Sequence, residues 1–186
     1  MALKTTGMPQ GALERPNRMI SVRRIEVGEG PLYKRIRLAA LSDSPNAFAT
    51  TFDSANRRSL KDWSEQADST ATGTDRVTIF AFINNEPIGI AALYGDDQIR
   101  NSGEIIQFWV DPAHRGGLVA EKLIEEIFSR AGKHRFKCLS VWASKGNESA
   151  IQFFEKYGFE LTHETQPFRP GSDLISCLMT KKTGVE

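Results

Sequence analysis

The sequence predicts a mixed α/β fold, with about seven strands and four helices. Three observations predict it. Short β-branched and aromatic runs, bounded by turn residues, recur along the chain. Stretches with apolar residues at helical spacing are interleaved with them. One strand run, Ile105 to Val110, passes through a basic glycine turn straight into a helical run. The 186 residues suffice for one domain with a proper core. That domain is expected over residues 19–183. Residues 1–18, with Gly7, Pro9, Gly11 and Pro16 and no apolar period, read as a disordered extension without the apolar core of a signal peptide.

Each element has a local cause. Ile20 to Val27 reads as a strand, and Gly28 to Pro31 as a turn whose proline suits the first turn of a helix. Leu32, Arg35, Ile36, Ala39 and Ala40 follow helical spacing until Ser44-Pro45 stops them. A second helix is expected between Asp53 and Gln66, and a loop over the small, polar Ala67 to Thr74. Val77 to Ile83 and Pro87 to Tyr94 form a hairpin about Asn84-Asn85-Glu86, and Gly95 to Ser102 a polar loop. Asp111-Pro112 ends the next strand, because proline offers no N–H to a ladder. Ala120, Leu123, Ile124, Ile127, Phe128 and Ala131 then mark a helix. Leu139, Val141 and Trp142 form a strand. A helix from Asn147 follows, with Ala150, Phe153, Phe154 and Tyr157 on one face and Gly158 placed to cap it. Phe159 to Thr165 and Leu174 to Thr180 close the chain as strands.

Composition narrows the function. Hydrophobic residues at 40% and charged residues at 25% are ordinary for a soluble globular protein. A net charge of +1 makes no electrostatic case for nucleic acid or an anionic membrane. No apolar run approaches the length of a membrane span. Cys138 and Cys177 are too few for a disulfide framework and read as buried free thiols; His114, His134 and His163 are isolated. A cytoplasmic protein without a metal is expected.

The glycine turn carries the chemistry. Arg115-Gly116-Gly117 opens a helix whose first N–H groups lack partners and carry partial positive charge, which suits a phosphate. It is neither a P-loop nor a dinucleotide-binding Gly-x-Gly-x-x-Gly. Such a turn is also often a plain connection. Yet Val-Asp-Pro-Ala-His-Arg-Gly-Gly-Leu-Val-Ala-Glu-Lys-Leu-Ile, residues 110–124, resembles the acetyl-CoA-binding motif of the GNAT superfamily of N-acetyltransferases. That motif reads Arg/Gln-x-x-Gly-x-Gly/Ala. Arg115 matches its first position and Ala120 its last, whereas Leu118 replaces a usual glycine. A second block, Asn147 to Phe159, resembles the family's Asn-x-x-Ala-x-x-Leu-Tyr-Glu-x-x-Gly-Phe, with Phe154 in the tyrosine position. A third, Arg37 to Phe48 followed by Trp63, resembles the first two helices of many bacterial members.

The resemblance implies a GNAT-like acyl-CoA N-acyltransferase fold, its central mixed sheet splaying apart after the strand at 104–110. It implies acetyl-CoA as cosubstrate, no metal, and transfer of the acetyl group to a primary amine of a small molecule or protein in a ternary complex. It assigns Glu104 the role of base, although a strand-end glutamate can equally be solvated. The pyrophosphate would meet Arg115, Gly116, Gly117, Leu118, Val119 and Ala120. The pantetheine arm would meet Phe108, Val110, Asn147 and Phe154; an oxyanion donor would be a backbone N–H near Val110. Asn147 also reads as a helix N-cap. Since Phe154 cannot donate a proton, Tyr157 is the candidate acid on that stripe, its other reading being a rim tyrosine. Phe48, Phe52, Trp63 and the loop with Asp96 and Asp97 would form the acceptor side. A homodimer is compatible with all of this. Two other readings stand beside it: an acyl-CoA-binding regulatory module, suggested by Leu118 and Phe154, and an unrelated nucleotide-binding domain.

Overall fold

The computed structural model describes residues 19–184, so the extension expected over 1–18 lies outside the described residues. In chain order the elements are β1 (Ile20–Arg24), α1 (Gly30–Asp43), α2 (Phe52–Asn56), α3 (Leu60–Thr72), β2 (Arg76–Ile83), β3 (Glu86–Gly95), β4 (Ser102–Val110), α4 (Leu118–Lys133), β5 (Cys138–Ser144), α5 (Glu148–Lys156), β6 (Glu160–Pro167) and β7 (Ile175–Lys182). The strands form one sheet in the order β1-β2-β3-β4-β5-β7-β6. Every neighbouring pair is antiparallel except β4 and β5, which run parallel.

The centre of the sheet is covered on both faces. β2 therefore reads as a nearly continuous apolar run rather than an alternating one. Val77, Ile79 and Ala81 join a core with Leu123, Ile124 and Ile127 of α4 and Ile151 and Phe154 of α5. Phe80 and Phe82 join a second core with Tyr33, Ile36 and Leu41 of α1 and Trp63 and Ala67 of α3. The hairpin between β2 and β3 turns through Asn84 and Asn85, both with positive φ, as a tight turn matched to strand twist requires.

The chain departs from expectation at Ala67 to Thr74. That stretch is not a loop through most of its length, because α3 continues to Thr72. Its small side chains serve burial: Ala67 and Thr70 are fully enclosed, and the Thr70 hydroxyl returns to the Ala67 carbonyl at 3.0 Å. Smallness here reflects close packing of α3 on the sheet, not turn chemistry. The region before Gln66 likewise holds two helices instead of one. Ser59 starts the second with a reciprocal capping box with Asp62.

The ladder between β3 and β4 is irregular at one point. Ile90 faces Trp109 and Ala92 faces Ile106, so Ala91 alone opposes Gln107 and Phe108. This is a β-bulge, which bends the bulged strand. Gln107 adopts φ 58°, and its side-chain oxygen accepts from the buried Tyr33 hydroxyl at 2.9 Å. Burial pushes Tyr33 up to about 12, so the hydroxyl keeps its proton. Tyr33→Phe is expected to cost about 1 kcal/mol, the net worth of one such bond. In thermal unfolding that is a fall of roughly 2–4 °C. An unchanged melting temperature would mean that the hydroxyl does not support the bulge.

Candidate active site

β4 and β5 pair only from Ser102 opposite Cys138 to Ile105 opposite Val141. Beyond that point the strands part, β4 continuing to Val110 and β5 to Ser144. A cavity of about 330 Å³ occupies the opening. Glu104, Ile106 and Phe108 line it from β4, Trp142 and Ser144 from β5, and Asn147 and Phe154 from α5. Arg37 of α1 and the segment Ala47 to Thr50 form another wall; Gln166, Phe168 and Ser176 complete it. Arg169 donates to the Pro45 carbonyl at 3.2 Å and so ties the β6–β7 connection to the segment after α1.

Glu104 is half-buried in this wall. Burial pushes its carboxyl upward, and the negative charge of Asp96 adds to the effect. Asp96 itself accepts from the N–H groups of Gln98 and Ile99, which hold the connecting turn.

At Val110, the far end of β4, the backbone turns its polar groups away from β3. Asp111 N–H donates to Ile88 O on the β3 side, and Val110 O accepts instead from Arg115 Nε at 3.0 Å. By the alternation of an antiparallel ladder, the Val110 N–H shares the side of its carbonyl, away from β3. Arg115 Nη2 is also paired with Asp43 at the end of α1, and Trp109 Nε1 donates to the same carboxylate at 2.8 Å. Burial alone would push Asp43 up, but hydrogen bonds from Ser44, Trp109 and Arg115 outweigh it and hold the carboxyl below its usual range.

After Arg115, Gly116 takes φ +73°, the left-handed region open to glycine, and Gly117 stands at the N-cap of α4 with no capping side chain. The first N–H groups of a sixteen-residue helix are thus left for a ligand. Leu118 does not close the turn. The residue is 57% exposed, and its backbone N–H remains. Val119 is buried in the core and Ala120 is half-buried. An uncapped helix start beside two glycines fits a pyrophosphate, and the gap between β4 and β5 fits an extended arm, so the residues present fit coenzyme A.

The structure brings Glu104, Phe108, Asn147 and Phe154 to one cavity, and sets Val110 and residues 115–120 at the end of the strand that lines it. Asn147 caps α5, its side-chain oxygen accepting from Ala150 N–H at 3.2 Å. Phe154 is buried against Phe108, Phe153 and Phe159. Tyr157 is not in the cavity lining. It ends α5 against Phe128 and Phe153, because the helix turns that face toward α4. On the proposed acceptor side only Phe48 lines the cavity. Trp63 is in the second core, Phe52 is exposed, and the Asp96–Asp97 loop is not part of the wall. Sequence reading missed Arg37, Gln107, Ser144, Gln166 and Ser176 as wall residues. Arg37 opens the Arg37–Phe48 block without being marked there as a wall residue, and no local motif marks the others, since the wall joins parts of the chain more than a hundred residues apart. Cys138 and Cys177 are free, and only half-buried where full burial was expected. Among the described residues there is no group of three or more His, Cys, Asp or Glu placed to hold a metal. None of their helices is long and apolar enough to cross a membrane.

Comparison with known proteins points the same way. Residues 38–159 match the model of the Acetyltransferase (GNAT) family. An uncharacterized N-acetyltransferase of Methanocaldococcus jannaschii is 29% identical over 82 residues, which are 42% of this chain and 36% of that relative's length. A GNAT-family acetyltransferase from Streptococcus pneumoniae superposes with a TM-score of 0.72 at 17% identity, covering 88% of this chain and 99% of that one. The ribosomal-protein-alanine N-acetyltransferase of Brucella melitensis gives 0.68 at 20% identity, with 87% and 99% covered. The PaiA N-acetyltransferase of Thermoplasma acidophilum, in complex with coenzyme A, gives 0.64 at 18% identity, with 88% and 99% covered. At such identities the structural likeness speaks for the fold. The family match spans well over half the chain and includes the glycine turn, the parting strands and α5, and on that ground this protein belongs to the GNAT acetyltransferase family.

Proposed function

We propose that this protein transfers the acetyl group of acetyl-CoA to a primary amine, by direct attack within a ternary complex. One observation carries the reading. The cavity where β4 leaves β5 holds a carboxylate at its root, Glu104, while the same strand leads to an uncapped helix N-terminus.

Coenzyme A supplies the acetyl group as a thioester. Its pyrophosphate would rest on the backbone of Gly116, Gly117, Leu118, Val119 and Ala120. Arg115 would act as a strut beneath them, since its guanidinium already holds Val110 O and Asp43. Phe108, Val110, Asn147 and Phe154 would border the arm. Glu104 takes the proton of the attacking amine, directly or through water. Its raised pKa brings it nearer the working pH of a base. The Val110 N–H faces the oxygen on which charge develops. One C–N bond forms, one C–S bond breaks, and the amine proton ends on Glu104 or its water. The free cysteines agree with a reducing, cytoplasmic setting.

A thiol-release assay with acetyl-CoA and a panel of amines tests the proposal. Steady release above the hydrolytic background is expected. Binding of acetyl-CoA without release from any amine would favour an acyl-CoA-binding module instead. No side-chain acid stands at position 154, and a thiol with a pKa of about 8.5 leaves without much help. Phe154→Tyr is expected to raise turnover if its hydroxyl enters the cavity, while Tyr157→Phe leaves it unchanged. Loss of turnover in Tyr157→Phe, with the fold and acetyl-CoA binding intact, would assign Tyr157 the acid role.

A further inference from the structure

Arg37 is the feature of this site that the transfer chemistry leaves unused. Its side chain extends from α1 into the cavity wall, yet the residue is only 4% exposed. Its Nη1 is fully enclosed and has no hydrogen-bond partner. Among the described residues no carboxylate pairs with it. The Phe48 ring, whose centroid lies 4.7 Å from the guanidinium carbon, lines the same cavity, and Tyr33, Tyr94 and the Arg58 cation lie within electrostatic reach. Burying a cation is costly unless an anion or several acceptors compensate it. Burial indeed acts against its charged form, although arginine stays charged in proteins. With Nη1 enclosed, the guanidinium would meet a ligand through its remaining nitrogens, and its planar fork of donors is matched to a carboxylate or phosphate.

The rest of the wall sharpens the match. Among the described residues that line it, Arg37 and Glu104 are the only charged ones, one of each sign. They form no ion pair with each other. A cavity with one separated cation and one separated anion is complementary to a zwitterion. Resting on the acetyl-transfer reading above, we infer that the acceptor is a small primary amine bearing an anionic group, an amino acid or an aminoalkyl phosphate, with its amine at Glu104 and its anion on Arg37. Ser144 and Ser176, buried and paired across β5 and β7, add hydroxyl donors to the same wall.

The test compares matched acceptors: phenylalanine with phenylalaninamide, β-alanine with β-alaninamide, and phosphoethanolamine with ethanolamine. The acid-to-neutral ratio of kcat/KM is measured in wild type and in Arg37→Met. Comparing the ratio between proteins cancels the intrinsic basicity of each amine. Arg37→Met is expected to lower the ratio about ten- to a hundredfold, the worth of one hydrogen bond to a charged group. Arg37→Lys, which keeps the charge and loses the fork, should fall between. A larger effect on the carboxylate pairs assigns a carboxylate, and a larger effect on the phosphate pair a phosphate. The same ligands are titrated onto the cofactor-free protein and followed by tryptophan fluorescence, since Trp142 lines the cavity. Anion-dependent binding in wild type, lost in Arg37→Met, is expected even without turnover. A ratio equal in wild type and Arg37→Met, or binding indifferent to the anion, overturns the inference. Absence of acetyl-CoA binding and turnover overturns the acetyl-transfer reading instead, and the fluorescence titration still decides Arg37.

Discussion

Replacing Glu104 with glutamine is expected to lower turnover about 10²–10⁴-fold while leaving acetyl-CoA affinity nearly unchanged. Glutamine keeps the shape of the side chain and cannot take a proton. The pH dependence carries the stricter test. Glu104 works as a base only when ionised, and burial together with Asp96 raises its pKa. As pH falls through that raised value, kcat/KM should therefore drop, at a pH above the ordinary glutamate range of about 4.3. Glu104→Gln should lack this acid limb. Asp96→Asn removes the second cause and should shift the limb to lower pH. A Glu104→Gln enzyme within a few-fold of wild type at every pH would leave Glu104 as a wall residue only.

Acetyl-CoA is expected to raise the melting temperature by roughly 5–10 °C. Ligand at about a hundred times its dissociation constant contributes about 2.7 kcal/mol, and each kcal/mol is worth roughly 2–4 °C in a chain of this size. The site of binding is tested at Gly117. Its φ of −115° and ψ of −164° are extended, so a side chain is conformationally admissible. A Cβ there would meet nothing closer than the His114 carbonyl at 3.8 Å. Gly117→Val should thus fold, at a cost of about 1 kcal/mol as a poorer N-cap, and lose most of the ligand-induced shift. Gly116→Val is a worse probe, because its φ of +73° strains any branched side chain before ligand is considered. A full shift in Gly117→Val would move the phosphates away from this turn. No shift with the wild type at millimolar acetyl-CoA would remove the proposal altogether.

How much of the fold and site is legible in the sequence depends on the range of the cause. The strand at Ile105 to Val110, the stop at Asp111-Pro112, the glycine turn and the apolar stripe of α4 are all present as expected, because each arises from neighbours along the chain. The Asn147 cap and the left-handed Gly158 are equally local. The misreading at Ala67 to Thr74 has the opposite origin. A small polar stretch signals a loop when taken alone, and only its packing against the sheet makes it helix.

The site divides along the same line. Sequence by itself determined the order of strand, basic turn and helix, the residues that could meet a phosphate, and the missing hydroxyl at Phe154. Tertiary structure alone decided the rest. It faced Tyr157 toward α4 instead of the cavity. It paired Arg115 with Asp43 across 72 positions of chain, and joined Tyr33 to Gln107 across 74. It enclosed Arg37 beside Phe48 with no counter-ion among the described residues. Hydrogen-bond geometry and side-chain period act between near neighbours and leave a pattern in the sequence. Desolvation and charge pairing depend on which distant segments meet, and that is settled only when the whole sheet closes its two cores.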